Sequence, residues 1–299
     1  MNLTNIPVVP AKTIIQTIPG QSHSRWPYYN MNIYRGCSHD CIYCDSRSSC
    51  FQVDDFSTVR IKEDALEKIR NELRRKVRVG IISTGAMSDP YNPIEETLNL
   101  SRNALELINA YGFGAAITTK SALIARDADV LSDIKKNAPV RIMFSICSSD
   151  DDVCTRIEPH VSNATQRFSA MATLSDAGIF CGVWLNPMLP YITDNEANII
   201  KSVRMVKSAG GKFIHTFMGM TLRPGSREYY YEQLDAHFPG LKEKYIKQYG
   251  FIKHLTSPNA RKLWTVFNNE CEKQGLLTDF RAIDSYNFSQ YKERQMTLF

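Results

Sequence analysis

The chain has 299 residues, 43% of them hydrophobic and 22% charged, and a net charge of +5 from 36 basic and 31 acidic residues. Such a chain is globular, with length for one large α/β domain or two ordinary ones, and its mild positive charge permits a polyanionic partner without demanding one. No run reaches the ~18 apolar residues of a membrane span. The N-terminus, MNLTNIPVVPAKTII, lacks the basic and apolar regions of a secretory signal, so its eight cysteines point to a reducing cytoplasm and not to a disulfide frame.

In chain order, residues 1–29 carry Pro7, Pro10, Pro19 and Pro27 and read as an irregular lead-in segment. Short apolar runs at 29–35, 79–84, 114–119, 140–146, 179–185 and 212–218 then predict strands. Between them, stretches 62–76, 94–110, 121–136, 162–178 and 194–210 repeat apolar residues at helical spacing, several ending in Gly or Asn. This alternation argues for parallel βα units over 30–222, as a partial barrel or a doubly wound sheet. After about Thr221 it stops: residues 223–290 read as a helical, aromatic-rich extension and 291–299 as a flexible tail.

The first strand runs into NIYRGCSHDCIYCDSR, residues 32–47, which sets Cys37, Cys41 and Cys44 at C-x3-C-x2-C. A closed zinc site needs four protein ligands, usually in two cysteine pairs, and no second pair follows. His39 inside the loop is too cramped to be the fourth. Three thiolates on one loop instead suit an iron–sulfur cluster with one corner left for a non-protein ligand. The loop follows a strand's C-terminal end, the face that carries chemistry in parallel βα folds.

This motif, with an aromatic just before the third cysteine, resembles the radical S-adenosylmethionine (SAM) superfamily. The resemblance implies a [4Fe-4S] cluster on Cys37, Cys41 and Cys44, SAM chelating the open iron, and an external electron donor of flavodoxin or ferredoxin type. It also implies reductive cleavage of SAM to a 5′-deoxyadenosyl radical. With SDPYNPIE (88–95), TTKSALIARDADVL (118–131) and TRIEPHVSNATQRFSAMATLSDAGI (155–179), residues 28–222 resemble the spore photoproduct lyase-like branch. That branch implies an α/β fold, a (β/α)6 partial TIM barrel of the radical SAM type. By the same resemblance Lys120 salt-links the SAM carboxylate, Ser145 adds a contact, and Tyr43 packs over the cluster or the adenine. Arg156 and Glu158 form part of the active-site wall. The glycine of STGAMSD and Ser88, at a strand's C-terminal end, read as either a permissive turn or a backbone cradle for SAM, the cradle being favoured by that address. Taken alone, Lys120 reads as a solvated strand end, Arg156 with Glu158 as a surface ion pair, Tyr43 as ordinary packing and Asp89 as a turn former.

Two departures stand out. Ala86 occupies the place of the lyases' hydrogen-donating cysteine, and Asp45 stands where an aromatic is usual. Cys147 and Cys154 are then substitute hydrogen donors to be weighed against the core role usual for cysteine, as is Cys50. The last residues, QMTLF, are similar to the bacterial sliding-clamp-binding pentapeptide: Gln295 hydrogen-bonds at a groove rim while Met296, Leu298 and Phe299 supply apolar anchors. The alternative is that this apolar terminus docks on its own domain. KYIKQYGFIKH (244–254) interleaves cations and rings as single-strand binders do, but an amphipathic helix with its rings in the core is the better explanation. The expected function is radical SAM chemistry on a nucleic-acid base, in DNA repair or modification. The alternatives are a small-molecule, peptide or RNA substrate, or a non-catalytic cluster-binding partner of a repair complex.

Overall fold

A computed structural model describes residues 6–20 and 26–291 of the chain. Six strands lie parallel and adjacent in chain order: β1 (Tyr28–Met31), β2 (Ile81–Thr84), β3 (Gly114–Thr119), β4 (Val140–Ile146), β5 (Phe180–Leu185) and β6 (Phe213–His215). A doubly wound sheet would reverse this order at a switch point. Here each strand pairs with its successor throughout, the winding of a partial barrel. That decides between the two architectures left open by the alternation of elements.

The crossovers carry α1 (Ala65–Arg75), α2 (Leu100–Ala110), α3 (Ala128–Lys135), α4 (Ala164–Asp176) and α5 (Glu196–Ser208). Their inward faces are the apolar positions of the helical pattern, such as Ile69 and Leu73 of α1 and Ile199, Val203 and Val206 of α5. Asn163 and Gln166 form a capping box that fixes where α4 begins, and the Asn195 side chain caps α5.

The first predicted strand is broken. β1 stops at Met31, and Tyr34–Arg35 leaves the barrel to pair antiparallel with Arg60–Lys62, which pairs on its other side with Val8–Val9. The lead-in segment is also more ordered than its prolines suggest. Ile15–Thr17 adds an antiparallel edge to β1, and the Glu72 carboxylate accepts the Ile14 and Ile15 N–H groups at 3.1 and 2.6 Å.

The C-terminal extension contains α6 (Ser226–His237), α7 (Leu241–Tyr249), α8 (Ala260–Gln274) and α9 (Phe280–Ser289), together with one strand that the sequence did not predict. That strand, His254–Thr256, pairs antiparallel with Gly219–Thr221. Helix α8 packs on α5 through Leu263, Phe267 and Cys271. Helix α9 contacts strands at both ends of the parallel set. Its Phe280 lies 4.1 Å from the His215 ring of β6 and 5.9 Å from the Trp184 ring of β5, while Phe288 lies 6.4 Å from Tyr28 of β1. Tyr291, expected at the start of a flexible tail, is buried instead and donates its hydroxyl to the Lys135 carbonyl at 3.1 Å. Residues 292–299, including Gln295, Met296, Leu298 and Phe299, lie outside the described residues. No helix among the described residues is long and apolar enough to cross a membrane.

In 244–254 the rings divide. Tyr245 and Tyr249 are buried in an apolar cluster with Tyr230 and Leu234, while Phe251 is 91% exposed beneath the Arg227 guanidinium.

Candidate active site

The cysteine loop is pinned from three sides. Gly36, with φ of +80°, lets the backbone pass so close to its neighbours that a Cβ would lie 2.3 Å from the Thr58 carbonyl. The Cys37 N–H then donates to the Phe56 carbonyl at 2.8 Å, and the Ile42 N–H to the Ile157 carbonyl at 3.0 Å. From the loop after β2, the Ser88 hydroxyl donates to the Gly36 carbonyl at 2.6 Å and Asn92 accepts the Ser38 N–H at 3.2 Å. Cys37 and Cys41 are buried and Cys44 is half-buried. Burial pushes the Cys37 thiol up to about 12 and the Cys41 thiol well above its ordinary value.

Beside the loop, a cavity of about 520 Å³ opens at the C-terminal ends of the strands and reaches down the sheet. Cys44 and Tyr43 line it from the cysteine loop, Ala86 from the loop after β2, and Lys120 and Ser145 from the ends of β3 and β4. Its size is in the range of sites for small ligands and cofactors. Gly85, with φ of +101°, presses the loop after β2 against β3; a Cβ there would meet the Thr118 carbonyl at 1.9 Å.

Lys120 is the cation at the cysteine-loop end of this site. Burial alone would lower its pKa, but Cys41, Glu158 and Cys44 together hold the ammonium above its ordinary value. Its Nζ lies 5.9 Å from the centre of the Tyr43 ring. Its backbone N–H donates at 2.8 Å to Asp89, whose other oxygen accepts the Thr119 hydroxyl at 2.7 Å and the Tyr91 N–H at 2.9 Å. His39 stands 3.6 Å from the same carboxylate and is held below its ordinary pKa by burial. Asp89 is thus a junction between two loops and the end of β3, well beyond a turn former.

Behind Tyr43 lies a buried polar cluster. Glu158 accepts the Tyr43 hydroxyl on one oxygen and the Arg167 guanidinium on the other, and the Cys147 thiol lies 3.6 Å from it. Arg167 also donates to the Ser145 and Ser162 carbonyls at 2.8 and 2.7 Å. Burial would raise Glu158, but Arg167 and Lys120 prevail and hold it below the usual carboxylate range.

The predicted residues therefore separate. Cys44, Tyr43, Lys120 and Ser145 face the cavity together. Ser88 is buried and ties down the cysteine loop, and Glu158 supports Tyr43 from below. Arg156 is exposed, its guanidinium 4.9 Å over the Phe238 ring, away from the cavity. Cys147 and Cys154 are buried and do not line the cavity, and Cys50 is exposed. Sequence reasoning missed Arg167, Asn92, Arg141 and Asn186. Arg167 alone left a signal, a charge on the buried face of α4.

The loop fits a cluster in kind and surroundings. Among the described residues no group of three His, Cys, Asp or Glu side chains is arranged to hold a single metal ion. A cube asks for something different, because each thiolate takes its own iron and the three sulfurs stand apart. Three thiols on one tightly held loop, one of them at a cavity and a cation beside two of them, supply that donor set and offset its charge.

The sequence model of the Radical SAM superfamily matches residues 31–203. The chain belongs to this superfamily. It is therefore a radical SAM enzyme, and the family implies an iron–sulfur cluster and SAM as its cofactors. An uncharacterized protein of Mycobacterium tuberculosis (strain H37Rv) is 28% identical over 228 residues, 74% of this chain and 67% of that one. An uncharacterized protein of Methanocaldococcus jannaschii is 31% identical over 171 residues, 56% of this chain and 63% of that one. In fold the chain is similar to a spore photoproduct lyase complexed with dinucleoside spore photoproduct, with a TM-score of 0.64 and 17% identity over 91% of this chain and 80% of the other. A variant of that enzyme with bound AdoMet and dinucleoside spore photoproduct matches with a TM-score of 0.61 and 17% identity, over 91% of this chain and 81% of the other. These likenesses agree with the partial barrel expected for the lyase-like branch.

Proposed function

We propose that this radical SAM enzyme holds a [4Fe-4S] cluster on Cys37, Cys41 and Cys44 and acts on a nucleic-acid base, in DNA repair or modification. The observation that carries the reading is the cavity: it opens at Cys44, holds Lys120, the one lysine among its described lining residues, at the SAM end, and is walled by aromatic rings. Similarly folded lyases that bind a dinucleoside spore photoproduct support the choice of substrate class.

When bound, the cluster supplies the electron that cleaves SAM reductively to a 5′-deoxyadenosyl radical. The chain's own residues orient and insulate that event. The Lys120 ammonium receives the SAM carboxylate, and Asp89 fixes the backbone from which it projects. Ser145 offers a hydroxyl at the mouth of β4, and Tyr43, locked by Glu158, screens the cluster side of the cavity from solvent. We also propose that Gln295, Met296, Leu298 and Phe299 tether the enzyme to the bacterial sliding clamp.

The deciding assay is anaerobic. Reconstituted protein with dithionite and SAM should form 5′-deoxyadenosine, and ultraviolet-irradiated DNA should change its rate or yield. Cleavage indifferent to DNA and to RNA would sink the nucleic-acid reading.

A further inference from the structure

The register of the strands sorts the cavity into levels. Trp184 of β5 pairs with Ser145 of β4, and Lys120 directly follows Thr119, which pairs with Phe144. Lys120, Ser145 and Trp184 therefore share the upper level of the lining, the end assigned above to SAM. Four residues towards the start of each strand, about 13 Å at roughly 3.3 Å each, Ser83 of β2, Ala116 of β3 and Arg141 of β4 stand in one row and also line the cavity. Thr118, paired with Met143, lies between the two levels. The function proposed above gives this lower part no role.

Burial marks the same alternation. Ser83, Thr118 and Arg141 are half-buried although both chain neighbours of each are buried, so these three polar side chains open onto the cavity. Neither hydroxyl is hydrogen-bonded to a described residue. Arg141 crosses the base of the cavity. One guanidinium nitrogen is bonded to Asp284 of α9, which also accepts the Tyr28 hydroxyl at 2.9 Å, and the group lies 5.5 Å over the Tyr28 ring of β1. No other described acceptor takes its remaining N–H groups. Ala116, with nothing beyond Cβ, leaves room between Ser83 and Arg141. Enclosed polar groups are nearly always paired, so two hydroxyls and a guanidinium turned to one space call for a polar ligand or water.

We infer that Ser83, Thr118 and Arg141 form the substrate-reading end of the cavity, built for the edge of a neutral ring in which a carbonyl adjoins an unsubstituted ring nitrogen. The inference rests on the nucleobase reading above and narrows it to bases with such an edge. Charge and donor count select the ligand. Asp284 already offsets the charge of Arg141, so the pair does not call for an anion. A guanidinium only donates, which matches the carbonyl, whereas a hydroxyl gives or takes and so matches a ring N–H or a bare ring nitrogen. A ring without the carbonyl, or with its nitrogen blocked, leaves one of these enclosed groups unpaired, and that mismatch is what discriminates. Ser83 and Thr118 thereby become specificity-determining residues, on strands whose sequence shows no motif.

The test is calorimetric titration of cluster-loaded protein, with SAM bound and no reductant, by three nucleosides. Uridine carries the whole edge, 3-methyluridine keeps both carbonyls but blocks the ring nitrogen between them, and purine riboside has no carbonyl. Uridine should bind, and each of the other two at least about tenfold more weakly. Ser83→Ala combined with Thr118→Val should weaken uridine about tenfold and close its gap to 3-methyluridine. Arg141→Met combined with Asp284→Leu removes both charges, so that neither is left buried alone, and should close the gap to purine riboside instead. A merely structural role would weaken all three nucleosides together and leave both gaps as they are. Equal binding of the three by wild type, or gaps that persist in the variants, overturns the site. If irradiated DNA stimulates SAM cleavage while no nucleoside binds, the site falls and the nucleic-acid reading stands. If uridine binds with both preferences while DNA and RNA leave cleavage unchanged, the nucleic-acid reading falls and the site belongs to a smaller heterocycle with the same edge.

Discussion

The Asp89 carboxylate accepts the backbone N–H of Lys120 at 2.8 Å, joining the loop after β2 to the residue that closes β3. The same buried carboxylate accepts the Thr119 hydroxyl and the Tyr91 N–H and faces His39 of the cysteine loop. One side chain thus holds the proposed SAM lysine, the cavity wall and the cluster loop in register. Asp89→Ala leaves those donors without an acceptor and should cost about 3 kcal/mol or more, since each buried unsatisfied group costs about 1–3 kcal/mol. Chemical denaturation measures that loss. Asp89→Asn keeps an acceptor oxygen and should recover part of it. SAM affinity, measured by equilibrium dialysis, should fall in parallel; SAM binding unchanged in Asp89→Ala would show that Lys120 needs no such support.

Glu158 and Arg167 form an ion pair whose side chains are both 0% exposed. Removing one partner of such a pair costs about 3–5 kcal/mol, because the remaining charge is buried alone. Arg167→Met should therefore destabilise the protein by about that much. The pH dependence should invert as well. In the wild type Glu158 is held below its ordinary value, so its contribution is fully present above about pH 4.3 and is lost as pH falls through the lower folded value. Without Arg167, burial raises that pKa, and stability should instead decline as pH rises through the raised value. Unfolding curves between pH 4 and 8, with Glu158→Gln as the reference, separate the two slopes; parallel slopes would rule out the pair as the source.

Much of this was legible in the sequence, and the limits have physical causes. The strand–helix alternation survives because the central strands β3 to β5 are buried on both faces and read as short apolar runs; they fall within a residue of their predicted bounds. The break after Met31 was not legible, since Tyr34 and Ile61 pair across a separation that no local pattern encodes. The cluster loop announces itself by spacing. Asn186 and Arg141 carry no motif, and their placement depends on Phe217 and Asp284 reaching them from distant parts of the chain. Arg156 and Glu158 lie two residues apart, yet the short helix Asp151–Ile157 ends between them. One is left exposed and the other turned into the core.

Ala86 lines the cavity at the position where the lyase resemblance calls for a hydrogen-donating cysteine. Cys147 and Cys154 are too deeply enclosed to reach that space without rearrangement, their thiols occupied with Glu158 and the Ser148 carbonyl. Wild-type protein should therefore give no reversal of spore photoproduct, whatever its own substrate. Ala86→Cys should place a thiol in the cavity and gain a measurable rate of spore photoproduct loss with recovery of intact thymidines, scored by chromatography of digested DNA. Reversal by wild type at the rate of Ala86→Cys would show that another group returns the hydrogen atom.

The proposed clamp contact makes a prediction that is independent of the barrel. Tyr291 is the last residue described, packed edge-on against Trp26 at 6.1 Å and bonded to the Lys135 carbonyl, so α9 is anchored through Tyr291 itself. If these residues serve as a tether, deleting 295–299 should leave thermal unfolding unchanged within about 0.5 kcal/mol. Capture by immobilised sliding clamp should nevertheless be abolished. Leu298→Ala with Phe299→Ala should reproduce the loss, because apolar anchors dominate short-peptide binding, whereas a change at the rim, Gln295→Ala, should weaken capture less. SAM cleavage by the shortened enzyme should match wild type on free substrate and fall only where clamp-loaded DNA is supplied. Clamp capture that survives the deletion would move the contact to another surface or dismiss it.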